Sequence, residues 1–352
     1  MKMEISIKGK NIGCGQPVYV IAEMSANHCG EFEQAVKLIH AAKEAGADAI
    51  KLQTYTPDTM TIDCRKVDFL VGKGTLWEGR NLYELYAEAF TPWDWHPKLK
   101  RIAEDIGLHF FSTPFDSSAV EFLEEMDVPA YKVASFELID ISLLRKIGST
   151  KKPVIMSTGM ASIAEIEEAV VTLREAGCSE IAILKCTSAY PAPAEEMNLK
   201  TIPHLSAAFG CPVGLSDHTL GIEIPIAAVS LGACIIEKHF TLSRSTPGPD
   251  SAFSLEPAEF KAMVHAIRIV EKALGQISYA PGEQEEKMRV YRRSLYVVED
   301  VEKGDIITEA KVKSIRPGYG LHPRYLEKVI GCRALKDIEK GTPLSWDLVA
   351  LT

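Results

Sequence analysis

Eight times in the first four-fifths of this 352-residue chain, a short apolar run ends in a polar residue. The runs fall at 18–22, 49–52, 109–112, 130–134, 154–156, 181–185, 213–215 and 234–238. Between most of them lie segments of helical period. Residues 32–45 carry apolar side chains at Ala35, Leu38, Ile39 and Ala42, residues 163–176 end at Gly177, and residues 225–231 end at Gly232. Strand and helix in alternation, with glycine after each helix, mean parallel βα units. Eight such units predict a closed (β/α)8 TIM barrel rather than an open doubly wound sheet, and no G-x-G-x-x-G follows the first run to favour a Rossmann fold. In a barrel, the polar residues that end the runs gather at one rim, where barrel enzymes carry their sites.

The formal charge of −9 argues against nucleic acid or an anionic membrane as partner. No apolar stretch approaches the ~18 residues of a membrane span, and the amino terminus shows no apolar signal segment, so the expected compartment is the cytoplasm. Eight scattered cysteines without a C-x-x-C read as small buried side chains, Cys186 and Cys234 within strands among them. The barrel domain is expected over 1–280, with 54–105 as an extended loop and helix over its mouth. Residues 281–293, polar and with Pro281-Gly282, read as a linker, and 294–352 as a small β domain. There Asp300-Val301-Glu302-Lys303-Gly304 is echoed by Asp337-Ile338-Glu339-Lys340-Gly341, which implies internal pseudo-symmetry.

The run ends carry the chemistry. Glu23 follows the first run directly and is either a site group or a helix cap; Asn27 and Gly30 suit the following turn, and His28 reads equally as a site or a loop residue. Alternation puts Lys51 and Gln53 on the interior face, where a lysine is costly unless it meets an anion or serves as a Schiff base. Thr113, then Lys132 with Ser135, then Ser157 bring a second lysine and several hydroxyls to the same rim, a donor set suited to phosphate. Tyr190, held extended before Pro191, suits the wall of a mouth, whereas Ser162 reads as a helix cap. His218 and His239 end the seventh and eighth runs; two imidazoles at adjacent strand ends suit an open metal site.

Taken together these motifs resemble the sialic acid (nonulosonic acid) synthase family. The resemblance rests on Ala22-Glu23 with Asn27-His28, Lys51-Leu52-Gln53, Ser112-Thr113-Pro114, Lys132 with Ala134-Ser135, Ser157-Thr158-Gly159, Gly214-Leu215-Ser216-Asp217-His218, Glu237-Lys238-His239-Phe240 and Gly248-Pro249-Asp250. The carboxy-terminal part, with Arg316-Pro317-Gly318, is similar to that family's SAF (antifreeze-like, β-clip) domain. Within the family, Lys51–Thr61, Leu82–Tyr86, Thr91-Pro92-Trp93 and Arg292–Tyr296 look most like the pseudaminic acid synthase branch.

The resemblance implies a transferase that joins phosphoenolpyruvate to an N-acetylated amino sugar, here 2,4-diacetamido-2,4,6-trideoxy-L-altrose. It implies that His218 and His239 hold a divalent ion, Mn2+ before Mg2+ or Co2+, and that Lys51, Thr113, Lys132, Ser135, Ser157 and Ser216 hold phosphoenolpyruvate. Ser188 joins that set with a departure, since neuraminate synthases carry asparagine there. Glu23, Gln53, Tyr190 and Asp250 would contact the sugar, Glu137 would face the charge that develops on phosphoenolpyruvate, and Arg316 would enter the site of a homodimer partner. Two enzyme alternatives stand beside this: a neuraminate or legionaminate synthase, and a Schiff-base aldolase using Lys51 or Lys132. A binding protein built on the SAF-like module is the third, and would leave the lysine, hydroxyl and histidine set idle.

Overall fold

The computed structural model describes residues 3–246 and 248–350, which form two compact units dividing at Gly275 and Gln276. The first opens with an antiparallel hairpin, β1 (Glu4–Ile7) and β2 (Lys10–Gly13), with Ile5 opposite Ile12. Eight strands follow: β3 (Tyr19–Glu23), β4 (Ala49–Thr54), β5 (His109–Pro114), β6 (Tyr131–Val133), β7 (Val154–Ser157), β8 (Ile181–Cys186), β9 (Val213–Asp217) and β10 (Ile235–His239). They close into a parallel barrel in chain order, with β10 pairing back onto β3 so that His239 lies beside Glu23. All eight expected runs are strands of this barrel.

Alternation divides each strand between two cores. Val20, Ala22, Ile50, Leu52 and Phe110 point outward and pack with helix residues such as Leu38, Ile39 and Leu99. Tyr19, Ile21, Ala49, Phe111, Ile155, Ala182, Leu184 and Ile235 point inward, and their cluster is completed by Ile5, Ile7 and Ile12 of the hairpin. The hairpin, which the run pattern did not reveal, therefore closes the amino-terminal end of the barrel. The helices follow the expected spacing. Phe32–Glu44 buries Ala35, Leu38, Ile39 and Ala42, the leucine and isoleucine each contributing about 1.5–3 kcal/mol of transfer free energy. Ile163–Glu175 starts at a capping box between Ser162 and Glu165. Gly46 and Gly177 reverse the chain after these helices at φ +92° and +114°, where a side chain would be strained.

The segment after β4 has more structure than a loop. It holds a short helix Pro57–Met60, a bridge between Leu70 and Asn81, and helices Leu82–Ala89 and His96–Asp105.

The second unit pairs β11 (Ser294–Val297) with β12 (Val312–Ile315), and β13 (Arg333–Ala334) with β14 (Val349–Ala350). Its core contains Leu295, Val297, Val301, Ile307, Val312, Ile338, Leu344 and Val349. The sequence echo is a structural one. Asp337 accepts from the Lys303 N–H at 2.7 Å and Asp300 from the Lys340 N–H at 2.7 Å, while Val301 and Ile338 exchange backbone bonds. Segment 281–293, expected as a linker, carries the short exposed helix Glu283–Met288.

Candidate active site

Above the apolar layers, the next inward positions are polar: Glu23, Lys51, Thr113, Lys132, Ser157, Ser216 and Glu237, all buried. Lys51 pairs with Glu23 at 2.7 Å and Glu237 at 3.6 Å, and its ammonium donates to Thr113 Oγ1 at 3.1 Å. Lys132 donates to Ser157 Oγ at 2.6 Å and the Val133 carbonyl at 3.0 Å, and lies 3.8 Å from Glu237. The Ser216 hydroxyl donates to Glu237 at 3.3 Å. Burial opposes ionisation of Glu237, but Lys132, Lys51 and His218 outweigh it and keep its pKa below the usual carboxylate range. Burial instead raises Glu23 despite Lys51, and burial lowers Lys132. The two lysines therefore share one firm anion, Glu237, and retain capacity for an anionic ligand.

Hydroxyls converge beside Lys132. Ser135 Oγ accepts from the Gly159 N–H at 3.0 Å, and a Cβ built on Gly159 would sit 2.1 Å from Ser188 Oγ and 2.8 Å from Ser135 Oγ. Only glycine leaves room for both hydroxyls.

Glu23, Gln53 and Asp250 form a second polar group. The Gln53 amide donates to Glu23 Oε1 and to Ser25 Oγ, both at 2.9 Å, and Ser25 donates to the Asp250 carboxylate.

His218 and His239 stand with ring centroids 5.3 Å apart. Behind them the fully buried Lys238 ammonium meets Asp217 Oδ2 at 2.5 Å, pinning the ends of β9 and β10 together. His218 Nδ1 lies 3.1 Å from the Thr187 carbonyl, which can only accept, so Nδ1 carries a proton and Nε2 is the nitrogen left for a metal. Nδ1 of His239 is buried without a partner, and burial together with His218 pushes its pKa well below the usual value, so the ring is neutral. For His218, burial is outweighed by Cys186 and the Thr187 carbonyl, and its pKa rises; a metal ion binding there displaces a proton. A tied imidazole and an unsatisfied one fit a divalent cation as two ligands of an open site. Among the described residues no group of three or more His, Cys, Asp or Glu side chains converges on such an ion.

A cavity of about 660 Å³ opens over these groups, lined by Gln53, Glu137, Ser188, Tyr190, His239 and Asp250 from the barrel side. Tyr190 packs against His218 at 4.3 Å between centroids. Glu137 Oε2 is buried without a partner, and burial raises its pKa to about 7.

The barrel residues singled out from sequence thus converge at its carboxyl rim. Arg316 belongs to the second unit and is exposed there. His28 shapes the loop instead: Nδ1 accepts from Gly30 at 3.1 Å, and Nε2 therefore donates to Thr91 Oγ1 at 3.0 Å. Cys186 is buried, as expected, yet its thiol faces the site, 3.9 Å from His218 Nδ1 and 3.8 Å from Ser188 Oγ. Burial raises that thiol's pKa, but His218, Ser135 and Lys132 bring it down to about 7. Glu237 went unrecognised as a site group although it lies two residues before His239, on the same strand face. Phe253, 4.8 Å from His239 between ring centroids, comes from the 3-10 turn Ser251–Phe253, and Trp77, 5.7 Å from Tyr190, from a loop; neither carries a periodic signal.

The fold and site define a (β/α)8-barrel enzyme with a buried lysine pair and a histidine pair at its carboxyl rim. The NeuB family model matches residues 38–279 and the SAF domain model residues 292–350, and the chain belongs to the NeuB family. It is 48% identical over 334 residues to a pseudaminic acid synthase of Campylobacter jejuni, covering 95% of this chain and 97% of that one. A pseudaminic acid synthase of Helicobacter pylori is 45% identical over 333 residues, covering 94% and 98%. Among solved structures, an N-acetylneuraminic acid synthetase from Leptospira borgpetersenii, in complex with citrate, matches with TM-score 0.73 and 33% identity over 81% of this chain and 94% of that one.

Proposed function

We propose that this enzyme condenses phosphoenolpyruvate with 2,4-diacetamido-2,4,6-trideoxy-L-altrose, giving pseudaminic acid and phosphate. The observation that carries the reaction is the buried Lys51–Lys132 pair, hydrogen-bonded to Thr113 and Ser157 at the rim where His218 and His239 stand 5.3 Å apart beneath one cavity, which His239 and Ser188 line. The choice of sugar rests on the near full-length similarity to the two pseudaminic acid synthases.

Lys51 and Lys132 neutralise phosphoenolpyruvate, while Thr113, Ser135, Ser157, Ser188 and Ser216 orient its phosphate by hydrogen bonds. A divalent cation on His218 and His239, manganese with magnesium or cobalt as alternatives, would supply Lewis acidity toward the sugar aldehyde. Carbon-3 of phosphoenolpyruvate attacks the aldehyde carbon, and positive charge develops at carbon-2. Glu137, buried and without a hydrogen-bond partner at Oε2, faces the cavity as the carboxylate that stabilises this charge. Water adds at carbon-2, and cleavage of the C–O bond releases phosphate. Glu23, Gln53, Tyr190 and Asp250 position the sugar.

The enzyme acts as a homodimer in the cytoplasm, Arg316 of one subunit completing the other's site. No helix among the described residues is long and apolar enough to cross a membrane.

Phosphate release measured with the altrose derivative, N-acetylmannosamine and the legionaminate precursor tests the sugar. Turnover of the altrose derivative is expected, abolished by EDTA and restored by Mn2+. Turnover of N-acetylmannosamine alone would overturn the assignment. Trapping of a pyruvate adduct by borohydride, with activity surviving EDTA, would point to the aldolase.

A further inference from the structure

The cavity has two chemically different walls, and one short helix builds the second. Helix Leu82–Ala89 is capped by Asn81, whose side chain accepts from the N–H groups of Tyr83 at 3.0 Å and Glu84 at 3.3 Å and donates to the Cys64 carbonyl at 2.7 Å. Leu82, Leu85, Tyr86 and Ala89 follow the i, i+3, i+4, i+7 spacing of one helical face, and all four line the cavity. Tyr83, Glu84 and Glu88 bond instead to Asp58, Arg65 and Arg80 on the solvent side. Met60, Leu70 and Val71 extend the apolar wall. The segment is tied to the barrel by Trp77, whose indole N–H donates to the Pro249 carbonyl at 2.9 Å. The polar part of the lining is Gln53, Glu137, His239 and Asp250. An isolated eight-residue helix is marginal in water, so its apolar face over an open cavity is the part of this segment that burial by a ligand would stabilise.

We propose that this face is the specificity wall of the site: it receives the methyl terminus of a 6-deoxy amino sugar and rejects a hydroxymethyl terminus. The inference rests on the synthase reading above. The reacting aldehyde belongs among the polar groups, which leaves the far end of the sugar chain to the leucines. A methyl buried there gains transfer free energy. A hydroxyl set against Leu82 and Leu85 loses water to carbon that offers no donor or acceptor.

The test uses a matched pair, 2,4-diacetamido-2,4,6-trideoxy-L-altrose and its 6-hydroxy counterpart, with kcat/KM taken from phosphate release. The wild type is expected to favour the 6-deoxy sugar by about 10–100-fold, the range for a hydroxyl against an apolar pocket. Leu85→Gln and Leu82→Gln should each narrow that ratio at least about fivefold, whereas volume-conserving Leu85→Met should keep it. The ratio is independent of how much of a variant is folded, and glutamine costs the fold less at the half-buried Leu82 than at the buried Leu85. Equal use of both sugars by the wild type, or an unchanged ratio in both glutamine variants, overturns the proposal and leaves the synthase reading intact. No phosphate release from either sugar overturns the synthase reading and this one with it.

Discussion

Gly159→Ala isolates the hydroxyl cradle from the rest of the site. The added Cβ meets Ser188 Oγ at 2.1 Å, Ser135 Oγ at 2.8 Å and Ser135 Cβ at 3.2 Å. Ordinary contact begins at about 3.5 Å, so the Ser188 hydroxyl has to retreat by more than ~1 Å and the Ser135 hydroxyl by over half that. Both obstacles are side chains rather than backbone, so the barrel survives the change. What is lost is convergence, because a hydroxyl displaced that far no longer reaches a phosphate oxygen within about 3 Å. A hydrogen bond to a charged group contributes about 1.5–3 kcal/mol, so losing one such bond raises KM for phosphoenolpyruvate by roughly 10–100-fold. Steady-state phosphate release with each substrate varied in turn measures this, and KM for the sugar should stay within about twofold if the cradle serves phosphoenolpyruvate alone. A thermal melt verifies folding. An unchanged KM for phosphoenolpyruvate in folded Gly159→Ala would refute the cradle.

Two further outcomes are expected. Burial raises Glu137 to about 7, so its carboxylate is lost as pH falls through 7 and the rate should fall on that limb; Glu137→Gln should be slow and show no such limb. The same shift means that ionising Glu137 costs the folded chain about 3 kcal/mol more than the unfolded one, so Glu137→Gln should melt higher than the wild type at pH 8 and not at pH 4.5. If the dimer shares its sites, equal mixing of inactive Arg316→Ala and His218→Ala subunits should restore about a quarter of wild-type activity, half the dimers being mixed with one intact site each; no recovery after confirmed subunit exchange would place Arg316 elsewhere.

The barrel was legible because each strand advertises itself locally. A run such as Ile50-Lys51-Leu52-Gln53 shows in four residues both a strand and the face its lysine takes. The four buried positions of helix Phe32–Glu44 are the ones its spacing named. The same logic reached Lys51, Thr113, Lys132, Ser157, Ser216, His218 and His239, all on inward or rim positions. Applied once more it reaches Glu237, whose parity with His239 was in plain view. It does not reach Ser25, Trp77 or Phe253, which lie in a loop or in single 3-10 turns, where a side chain's direction is set by the local path of the chain rather than by a period.

The sequence alone determined the order of strands, the inward face of each, and the chemical inventory of the rim, because period and composition are local properties of the chain. Only the tertiary structure decided who meets whom. Closure of the barrel brings Lys51 and Lys132 to one carboxylate, Glu237, donated from a strand more than a hundred residues away. Tertiary packing also leaves His239 with an unsatisfied nitrogen, shapes the Ser135–Ser188 gap around Gly159, and turns the apolar face of Leu82–Ala89 toward a cavity instead of a core. The contacts to Glu237 join elements far apart along the chain and come into being only when the eighth strand pairs with the first, whereas the gap around Gly159 needs only β6, β7 and β8 side by side.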